Sequence, residues 1–306
     1  MKHEAITLGQ GTAYPLKGLL TLPDGPAEKL PAAVFVHGSG ASNMDEKIFR
    51  LTPFKDLAEG LAERGVASLR YDKRTFVHGR KMRKETVTVR EETIEDALLA
   101  AGLLRQDPRI DPERIFILGH SMGAMLAPRI DAEGGDFRGL VLLAGSPYRM
   151  EEIMVRQLSE AGKKGGLLGA VVRLEEKIYM KKLDGLYALP DEEAKRKKFA
   201  GSTTLWYFKE MGRKTAADYL KETEKPVLIL QGGMDFQVLP EVDYAGFREQ
   251  LADRPNTEYR LYEGLNHLFV KGIYSDILKA QKEYRQERHI GPEVLDDIAD
   301  FIRRNR

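Results

Sequence analysis

Short apolar segments alternate with amphipathic segments along most of the chain, and this alternation limits the folds that the sequence can adopt. Continuous apolar segments are typical of strands buried on both faces, and apolar residues that recur every three or four positions are typical of one helix face. The strands predicted in this way are 32–38, 66–72, 114–119, 139–145, 226–232 and 258–264, and the helices are 53–65, 93–106, 122–130, 241–251 and 292–304. This order predicts an α/β fold with a mostly parallel sheet and helices on both of its faces.

Local signals add a hairpin and a helix cap to this outline. Residues 4–22 contain two short apolar segments separated by Gly9-Gln10-Gly11, which predicts an antiparallel hairpin at the start of the sheet. Thr93 stands at the start of a predicted helix with Asp96 three residues later, the spacing of a capping box.

The composition is that of an ordinary globular protein and excludes several classes of function. Of the 306 residues, 42% are hydrophobic and 31% are charged. The 48 basic and 47 acidic side chains leave a formal charge of +1, which gives no reason to expect a nucleic acid or an acidic membrane as partner. The absence of cysteine from the sequence excludes disulfides, thiolate catalysis and cysteine-based metal sites.

The sequence contains no obvious membrane or targeting segment. Its apolar runs are all shorter than the roughly 18 residues that a membrane-spanning helix needs. The N-terminal stretch "MKHEAITLGQ" lacks the apolar centre of a signal peptide. We therefore expect a cytoplasmic protein, while a chain from which a signal had been removed would look the same.

Residues 147–222 interrupt the alternation. This segment is strongly charged, has helical periodicity and contains no β-branched strand pattern. Because it stands between two predicted core strands, we expect it to pack over one edge of the sheet as a helical cap. The predicted division is thus a core of residues 1–146 and 223–306 and a cap of residues 147–222. Acidic residues 191–193 stand four positions before basic residues 195–197, which favours a solvated helix over a polyanion site.

Three side chains suited to nucleophilic catalysis each follow a predicted strand. Ser121 lies in "GHSMG", a G-x-S-x-G pattern at a strand-to-helix junction, while Asp235 and His267 follow the last two predicted strands. Loops at the carboxyl ends of parallel strands share one edge of the sheet, and a serine nucleophile needs a base that an acid orients. Each residue alone has an ordinary explanation as a turn or a solvated loop position. Together, in the order Ser, Asp, His, they predict a catalytic triad.

The glycine-rich loop "HGSG", residues 37–40, follows another predicted strand. Attack on an ester carbonyl places negative charge on its oxygen, which preorganised backbone N–H groups stabilise. We predict one donor in the N–H of Met122, at the start of its helix, and a second in the N–H of Ser39, with Gly40 the next choice. The alternative of a phosphate-binding loop is disfavoured because the P-loop Lys-Ser/Thr and the third glycine of a dinucleotide fingerprint are missing. No cofactor is predicted.

Four charged residues near these segments have two interpretations. Asp45 with Glu46, or Asp72 with Arg74, form possible acid–base pairs. The interpretation we favour is that they are ion pairs which brace the glycine-rich loop and the end of strand 66–72.

The remaining histidines do not suggest a second site. His37, His78 and His120 lie close in sequence to the predicted chemistry but have no acidic partner in the expected order, and the elbow pattern directs His120 away from the substrate. His3 and His289 lie near the two ends of the sequence. The sequence therefore contains no clustered set of metal ligands, and no metal site is predicted.

Seven segments resemble the α/β-hydrolase superfamily over nearly the full length of the chain: "HGSG", "MDE", "PFKDLAEGLAERG", "LRYDKRT", "GHSMG", "VLILQGGMDFQV" and "GLNHLF". They are similar in particular to bacterial esterases of the dienelactone-hydrolase-like and serine-aminopeptidase-like branch. The resemblance implies an α/β-hydrolase fold, with an eight-stranded, mostly parallel sheet and a helical insertion after the sixth strand. It also implies that Ser121 is the nucleophile, Asp235 the acid and His267 the base. It is also the ground for expecting a homodimer. Ala41-Ser42 stand where the family commonly has proline after "HGSG", which bears on the rigidity of that loop.

The predicted reaction is hydrolysis of a small-molecule carboxylic ester through an acyl-enzyme. Two alternatives stay open: a thioesterase or small-amide hydrolase with the same triad, and a non-catalytic binding module. We expect the cap to set specificity, with Trp206 and Tyr207 as tentative substrate-binding residues next to Phe208. Since neighbours on a helix face different directions, at most one or two of the three can reach the pocket. The alternative is that they only hold the cap helix to the core.

Overall fold

The computed structural model describes residues 1–25, 29–82, 86–163, 166–274 and 279–305, without the side chains of residues 280 and 281. Within these ranges the chain forms ten strands, and helices separate most of the strands after the third. The strands are β1 (Lys2–Leu8), β2 (Leu16–Leu22), β3 (Leu30–Val36), β4 (Ala67–Tyr71), β5 (Ile110–His120), β6 (Leu140–Leu143), β7 (Lys198–Ala200), β8 (Thr203–Thr204), β9 (Val227–Gly232) and β10 (Thr257–Tyr262).

The helices cover the stretches between the strands. They are α1 (Pro53–Glu63), α2 (Arg74–Met82), α3 (Glu95–Gln106), α4 (Met122–Ile130), α5 (Met150–Gly162), α6 (Gly166–Leu183), α7 (Asp191–Arg196), α8 (Leu205–Met211), α9 (Ala216–Lys221), α10 (Ala245–Gln250), α11 (Ala280–Tyr284) and α12 (Pro292–Arg304). In the described ranges, π-helical turns occupy Arg90–Ile94 and Pro240–Tyr244, and an irregular turn with Gly134 at φ 109° occupies Asp131–Gly135.

Eight strands form one sheet in the order β1-β2-β4-β3-β5-β6-β9-β10. The hairpin β1–β2 is antiparallel and β2 pairs antiparallel with β4, whereas the other neighbours are parallel. The mostly parallel, eight-stranded sheet and its N-terminal hairpin are thus confirmed. Strands β7 and β8 form a separate pair outside this sheet.

The strand order creates a crevice beside β3 and β5. The chain leaves β3 toward β4 on one side, and it leaves β5 toward β6 on the other. The segments that follow these two neighbouring strands therefore diverge at their carboxyl ends, which is where open α/β sheets bind ligands.

Alternate residues of β3 enter two different cores, as expected for a strand buried on both faces. Ala32, Val34 and Val36 pack in a core with α3, α4 and α10, and Ala33 and Phe35 pack in a core with α1 and α12. The sheet is therefore covered by helices on both faces, as the sequence predicted.

Helices α5 to α9 stand between the sixth strand, β6, and β9. The short pair β7–β8 in this stretch was not predicted. The boundaries of a core and a cap at residues 147 and 222 stay a prediction. Within the part of the chain that the structure describes, all helices are too short or too polar to cross a membrane.

The predicted cap of helix 93–106 is wrong. Helical structure begins at the turn Arg90–Ile94, so Thr93 lies inside it rather than before it. The buried Thr93 hydroxyl has no hydrogen-bond partner. Asp96 instead binds Arg74, a residue 22 positions earlier on the unpredicted helix α2. A long-range ion pair thus replaces the local contact that the spacing suggested.

The connection from β5 to α4 brings backbones into very close contact. A Cβ atom on Gly119 would lie 2.3 Å from the Gly123 oxygen, and a Cβ on Gly123 would lie 2.1 Å from the Val36 oxygen. A side chain at Gly119 would have to displace backbone atoms of α4, and one at Gly123 would have to displace backbone atoms at the end of β3. Both glycines of the G-x-S-x-G pattern are therefore required by packing.

We expect Gly123→Ala to destabilise the protein by about 1–3 kcal/mol or more, because the added methyl group overpacks against β3. Gly102→Ala in α3 is the matched control, since its Cβ would meet no atom within 4 Å. It should stabilise the protein by up to about 1 kcal/mol through helix propensity. Urea unfolding of both variants measures the difference, and equal effects would contradict the packing argument.

Candidate active site

Ser121 occupies a strained turn between β5 and α4. Its backbone angles are φ 54° and ψ −119°, a conformation that costs a non-glycine residue about 1–3 kcal/mol. Three backbone hydrogen bonds hold it: the Ser121 N–H donates to Leu143 O at 2.8 Å, and the Ser121 carbonyl accepts from the N–H groups of Ala124 and Met125. The side chain thereby stands at the start of α4. There the first N–H groups lack intrahelical acceptors and the helix dipole is positive.

Asp235 and His267 form a buried pair beyond the ends of β9 and β10. His267 Nδ1 lies 2.7 Å from Asp235 Oδ2. The other carboxylate oxygen, Oδ1, accepts the N–H groups of Gln237 and Val238 at 2.8 and 3.0 Å, and Gln231 Nε2 donates to Oδ2 at 3.0 Å. With four hydrogen bonds the carboxylate is held in one orientation.

This pair fixes the chemistry of the imidazole. An ionised carboxylate only accepts hydrogen bonds, so the hydrogen of a neutral His267 ring must be on Nδ1. The lone pair is then on Nε2, the nitrogen that faces away from Asp235. A histidine held in this way can accept a proton from a hydroxyl.

His120, the residue before Ser121, contacts His267 directly. The His120 ring centroid lies 4.8 Å from that of His267, and its Nε2 contacts the His267 backbone oxygen at 2.9 Å. Among the described residues, the Ser121 hydroxyl has no hydrogen bond to His267. Such catalytic contacts are often long in unliganded enzymes and tighten when substrate binds.

Ser121 opens onto a cavity of about 550 Å³. Ser39, Gly40 and Met122, which carry the predicted N–H donors, line the same cavity. Its apolar wall contains five of the ten methionines of the sequence, namely Met82, Met122, Met125, Met150 and Met154. Because methionine side chains are unbranched and adaptable, this wall can fit apolar groups of different shape.

Glu92 is the one charged residue among the described residues that line the cavity. Its Oε1 lies 2.8 Å from Lys73 Nζ, and its Oε2 accepts the Tyr207 hydroxyl at 2.6 Å. Burial and the nearby Glu92 raise the pKa of Tyr207 well above its ordinary value, so the hydroxyl stays protonated and donates. Both oxygens of Glu92 are therefore occupied, and its charge is balanced by Lys73.

Of the two aromatic residues proposed for the pocket, the structure places Tyr207 in the cavity wall and Trp206 outside it. The Trp206 ring lies between Lys195 and Arg213, with the charged groups 5.2 and 4.8 Å from the ring centroid. It also packs on the cluster formed by α7, α8 and their neighbours. Trp206 is thus not among the described residues that line the cavity, and a role for it in binding stays a prediction. Successive residues of a helix are about 100° apart, so Trp206 and Tyr207 face different directions.

Glu46 connects the glycine-rich loop to the histidines. Its Oε1 accepts the Gly38 N–H at 2.7 Å, and its Oε2 lies 2.9 Å from His120 Nδ1. The second contact is poorly aligned for a hydrogen bond and is better described as an ion pair. Burial would raise the pKa of Glu46, but His120 outweighs it and the pKa is lowered. Burial would lower the pKa of His120, but Glu46 reverses this and the pKa is raised.

The predicted bracing ion pairs are confirmed for two of the four charged residues, Asp45 and Glu46, whereas Asp72 braces the loop through a hydrogen bond with the backbone. Besides Glu46, Asp45 pairs with Arg70 at 2.9 Å, and Asp72 accepts the Met44 N–H at 2.8 Å. The pairing of Asp72 with Arg74 is wrong, because Arg74 turns into α3 and binds Asp96 and Glu95.

The other histidines have structural surroundings. His37 is buried against Phe54, and burial lowers its pKa to about 4, so it is neutral. His78 contacts the backbone oxygen of Pro15. In the described parts of the chain, His, Asp and Glu side chains form no group of three or more that could hold a metal ion.

Lys73 and Glu92 escaped the sequence analysis. Lys73 follows β4 directly, at the same edge of the sheet as the other candidate residues, and its Nζ donates to the Gly38 oxygen at 2.8 Å. Its position after a parallel strand is a signal that could have identified it. Glu92 had no such signal, since only the fold brings the turn Arg90–Ile94 to this edge.

The comparisons with known proteins agree with this geometry. A family profile described as "Alpha/beta hydrolase family" matches residues 33–271. Esterase EstD of Thermotoga maritima is 37% identical over 292 residues, which are 95% of this chain and 66% of that protein. The chain thus spans slightly less than two thirds of the length of this curated relative.

Solved structures show the same fold at lower identity. An esterase from Pyrococcus furiosus matches with a TM-score of 0.57 at 17% identity, over 99% of this chain and 91% of that one. Est1E from Butyrivibrio proteoclasticus, with ferulic acid bound, matches with a TM-score of 0.58 at 20% identity, over 96% and 100%. A proline iminopeptidase from Mycobacterium smegmatis matches with a TM-score of 0.60 at 14% identity, over 99% and 98%. By its family match, its sheet and its strand–turn–helix junction, this chain belongs to the alpha/beta hydrolase family.

Proposed function

We propose that this protein is a serine hydrolase that cleaves small, neutral carboxylic esters through an acyl-enzyme on Ser121. The observation that carries the proposal is the buried Asp235–His267 pair, beside a serine that a strained turn exposes to the cavity. The 37% identity to an esterase supports the same class of reaction.

In the proposed reaction His267 Nε2 takes the proton of the Ser121 hydroxyl while the oxygen attacks the ester carbonyl. The N–H groups of Met122 and Ser39, with Gly40 adjacent, stabilise the oxyanion. Collapse of the tetrahedral intermediate breaks the bond to the alcohol, which leaves with the proton from His267. Water then attacks the acyl-enzyme by the same route and releases the acid and free Ser121. Asp235 orients His267 and stabilises its charged form.

The charge of the cavity favours neutral esters over the two enzyme alternatives. The ammonium group of an aminoacyl substrate needs an unpaired carboxylate, but Glu92 is already bound by Lys73 and Tyr207. The phosphates of an acyl-CoA need basic groups, and the described residues that line the cavity include neither lysine nor arginine. The binding-module alternative leaves the strained conformation of Ser121 without a purpose.

Other aspects of the function stay predictions. They are the cytoplasmic location, the homodimer, the absence of nucleic-acid or membrane partners and the independence from cofactors. A small ester is the partner that the proposed chemistry requires.

We expect Ser121→Ala to lower kcat for p-nitrophenyl butyrate on the order of 10⁴-fold or more, because the nucleophile is lost. A fluorophosphonate should label the wild-type protein on the peptide that contains Ser121, as read by mass spectrometry, and should not label the variant. Ser159→Ala in α5, outside the cavity lining, is the control that should keep wild-type activity. A Ser121→Ala variant that retains a tenth of the activity would disprove the triad.

We expect p-nitrophenyl butyrate to be hydrolysed with a kcat/KM roughly 100-fold or more above that of p-nitrophenyl 4-aminobutyrate. The leaving groups are identical, and a charge that enters the cavity unpaired costs several kcal/mol. The hemisuccinate ester tests a negative acyl group in the same way, and butyryl-CoA tests the thioesterase alternative. Preference for the ammonium substrate would favour the aminoacyl-hydrolase alternative.

We expect Trp206→Ala to lower the melting temperature while the ranking of p-nitrophenyl esters from acetate to octanoate stays unchanged. The ring contacts Lys195, Arg213 and the cap helices but not the cavity. Met154→Ala, which removes part of the cavity wall, is the matched variant and should change the ranking, since an apolar contact contributes roughly 1–3 kcal/mol. A changed ranking of the esters in Trp206→Ala would instead indicate that Trp206 contacts the acyl group.

A further inference from the structure

We propose that Lys73 is a positioning residue that orients the N–H of Ser39 toward the developing oxyanion. The proposal rests on the function proposed above and assigns to a buried lysine a role in the same reaction. Its basis is the pattern of hydrogen bonds around Gly38.

Both backbone polar groups of Gly38 are bound by buried charged side chains. The Gly38 N–H donates to Glu46 Oε1 at 2.7 Å, and its carbonyl oxygen accepts from Lys73 Nζ at 2.8 Å. Lys73 is 2% exposed and Glu46 is 5% exposed. Charged side chains are almost never buried to this extent unless they are paired. Here they approach the same residue from its two sides.

Because the peptide bond is planar, the contact of Lys73 with the Gly38 carbonyl also fixes the direction of the Ser39 N–H. The carbonyl of Gly38 and the N–H of Ser39 belong to one planar trans peptide unit, and they point in opposite directions. When Lys73 holds the carbonyl on the buried side, the N–H of Ser39 must point the other way. Ser39 lines the cavity together with Ser121, whereas Lys73 does not. Lys73 therefore directs a hydrogen-bond donor toward the reacting atoms without touching the substrate.

The loop needs such an anchor because its own sequence is flexible. A Cβ on Gly38 would lie in tight contact, 3.2 Å from Ser121 Cβ, and Gly40 adopts φ 83°. Ala41 and Ser42 stand where a proline would stiffen the backbone. The Lys73 N–H also donates to the Ser42 oxygen at 3.0 Å, so one residue holds both ends of the loop.

The charges of the two anchors are balanced by separate partners. Glu92 Oε1 pairs with Lys73 at 2.8 Å, and the Tyr207 hydroxyl of α8 donates to Glu92 Oε2. His120 pairs with Glu46. Tyr207 of α8 is therefore connected to the glycine-rich loop through two buried side chains, Glu92 and Lys73. In this way α8, which lies in the segment between β6 and β9, contacts the loop indirectly.

Loss of the Lys73 hydrogen bond should affect the transition state more than the bound substrate. Removal of a whole oxyanion-hole donor lowers kcat by about 10²–10³-fold. In the Lys73 variant the Ser39 N–H is still present but is no longer oriented, so it should still stabilise the oxyanion in part. We therefore expect a smaller decrease, roughly 10- to 100-fold in kcat, with a similar KM. A trifluoromethyl ketone, which forms a tetrahedral adduct with a serine, should bind more weakly by a similar factor.

The experiment compares Lys73→Met, Glu92→Gln and the double variant, with kcat, KM and trifluoromethyl ketone inhibition measured on p-nitrophenyl butyrate. Lys73→Met leaves Glu92 buried without its partner, so its loss of activity alone would be ambiguous. The double variant removes both charges and should still show the reduced kcat, because the Gly38 carbonyl has no donor. Glu92→Gln removes the charge partner of Lys73 but leaves an amide oxygen that can accept from it, so Lys73 can still donate to the Gly38 carbonyl and kcat should fall less than in Lys73→Met. Lys225→Met, which removes ion pairs with Asp131 and Asp136 outside the cavity lining, is the control.

The outcomes separate this proposal from the proposed function. Recovery of wild-type kcat in the double variant would overturn the positioning role and reduce Lys73 to a charge partner of Glu92. A normal kcat in Lys73→Met would overturn it as well, while fluorophosphonate labelling of Ser121 would leave the hydrolase function intact. Wild-type protein that neither hydrolyses esters nor reacts with the fluorophosphonate would overturn both. If Lys73→Met does not fold, the charge-neutral double variant decides alone.

Discussion

The close contact of backbones at the β5–α4 junction is the constraint on which the rest of the site depends. Gly119 and Gly123 let α4 approach β3 and β5 until no side chain fits between them. This approach forces Ser121 into its strained conformation and places the start of α4 at the crevice of the sheet. It also brings Gly38 close to Ser121, so that an added Cβ would lie 3.2 Å from the Ser121 Cβ. The positions of Ser121, of the start of α4 and of the glycine-rich loop therefore have one common cause.

Pairs of buried polar side chains hold the loops around the cavity in place. The pairs Glu46–His120 and Lys73–Glu92 lie beneath the surface around the cavity, and the buried Asp235 carboxylate is held there by its hydrogen bond with His267. Because an unpaired buried charge costs several kcal/mol, each pair restricts where its partners can be. Their common effect is to hold loops that have little packing of their own. The same pairing balances the charge of Glu92, the charged residue among the described residues that line the cavity. This balance connects the stability of the loops to the proposed preference for neutral substrates.

Sequence reasoning failed where a local pattern competed with a distant partner. The Thr93–Asp96 spacing predicts a capping box, yet Asp96 forms a buried ion pair with Arg74, a contact that no local pattern encodes. The same ion pair takes Arg74 away from Asp72. For Trp206 and Tyr207, the sequence establishes only that they cannot both face one way. Which one reaches the cavity depends on how α8 lies against the core, and that is decided by long-range packing.

The sequence by itself determined the alternation of strands and helices, the parallel sheet and the three candidate catalytic residues. These features rest on short-range periodicity and on the rule that the carboxyl ends of parallel strands share one edge. Only the tertiary structure decided that Asp235 and His267 touch and that Tyr207 lines the cavity while Trp206 does not. It alone brought Lys73 to the carbonyl of Gly38, 35 residues away in the chain. Such contacts join residues far apart in sequence, and their geometry exists only once the chain has packed.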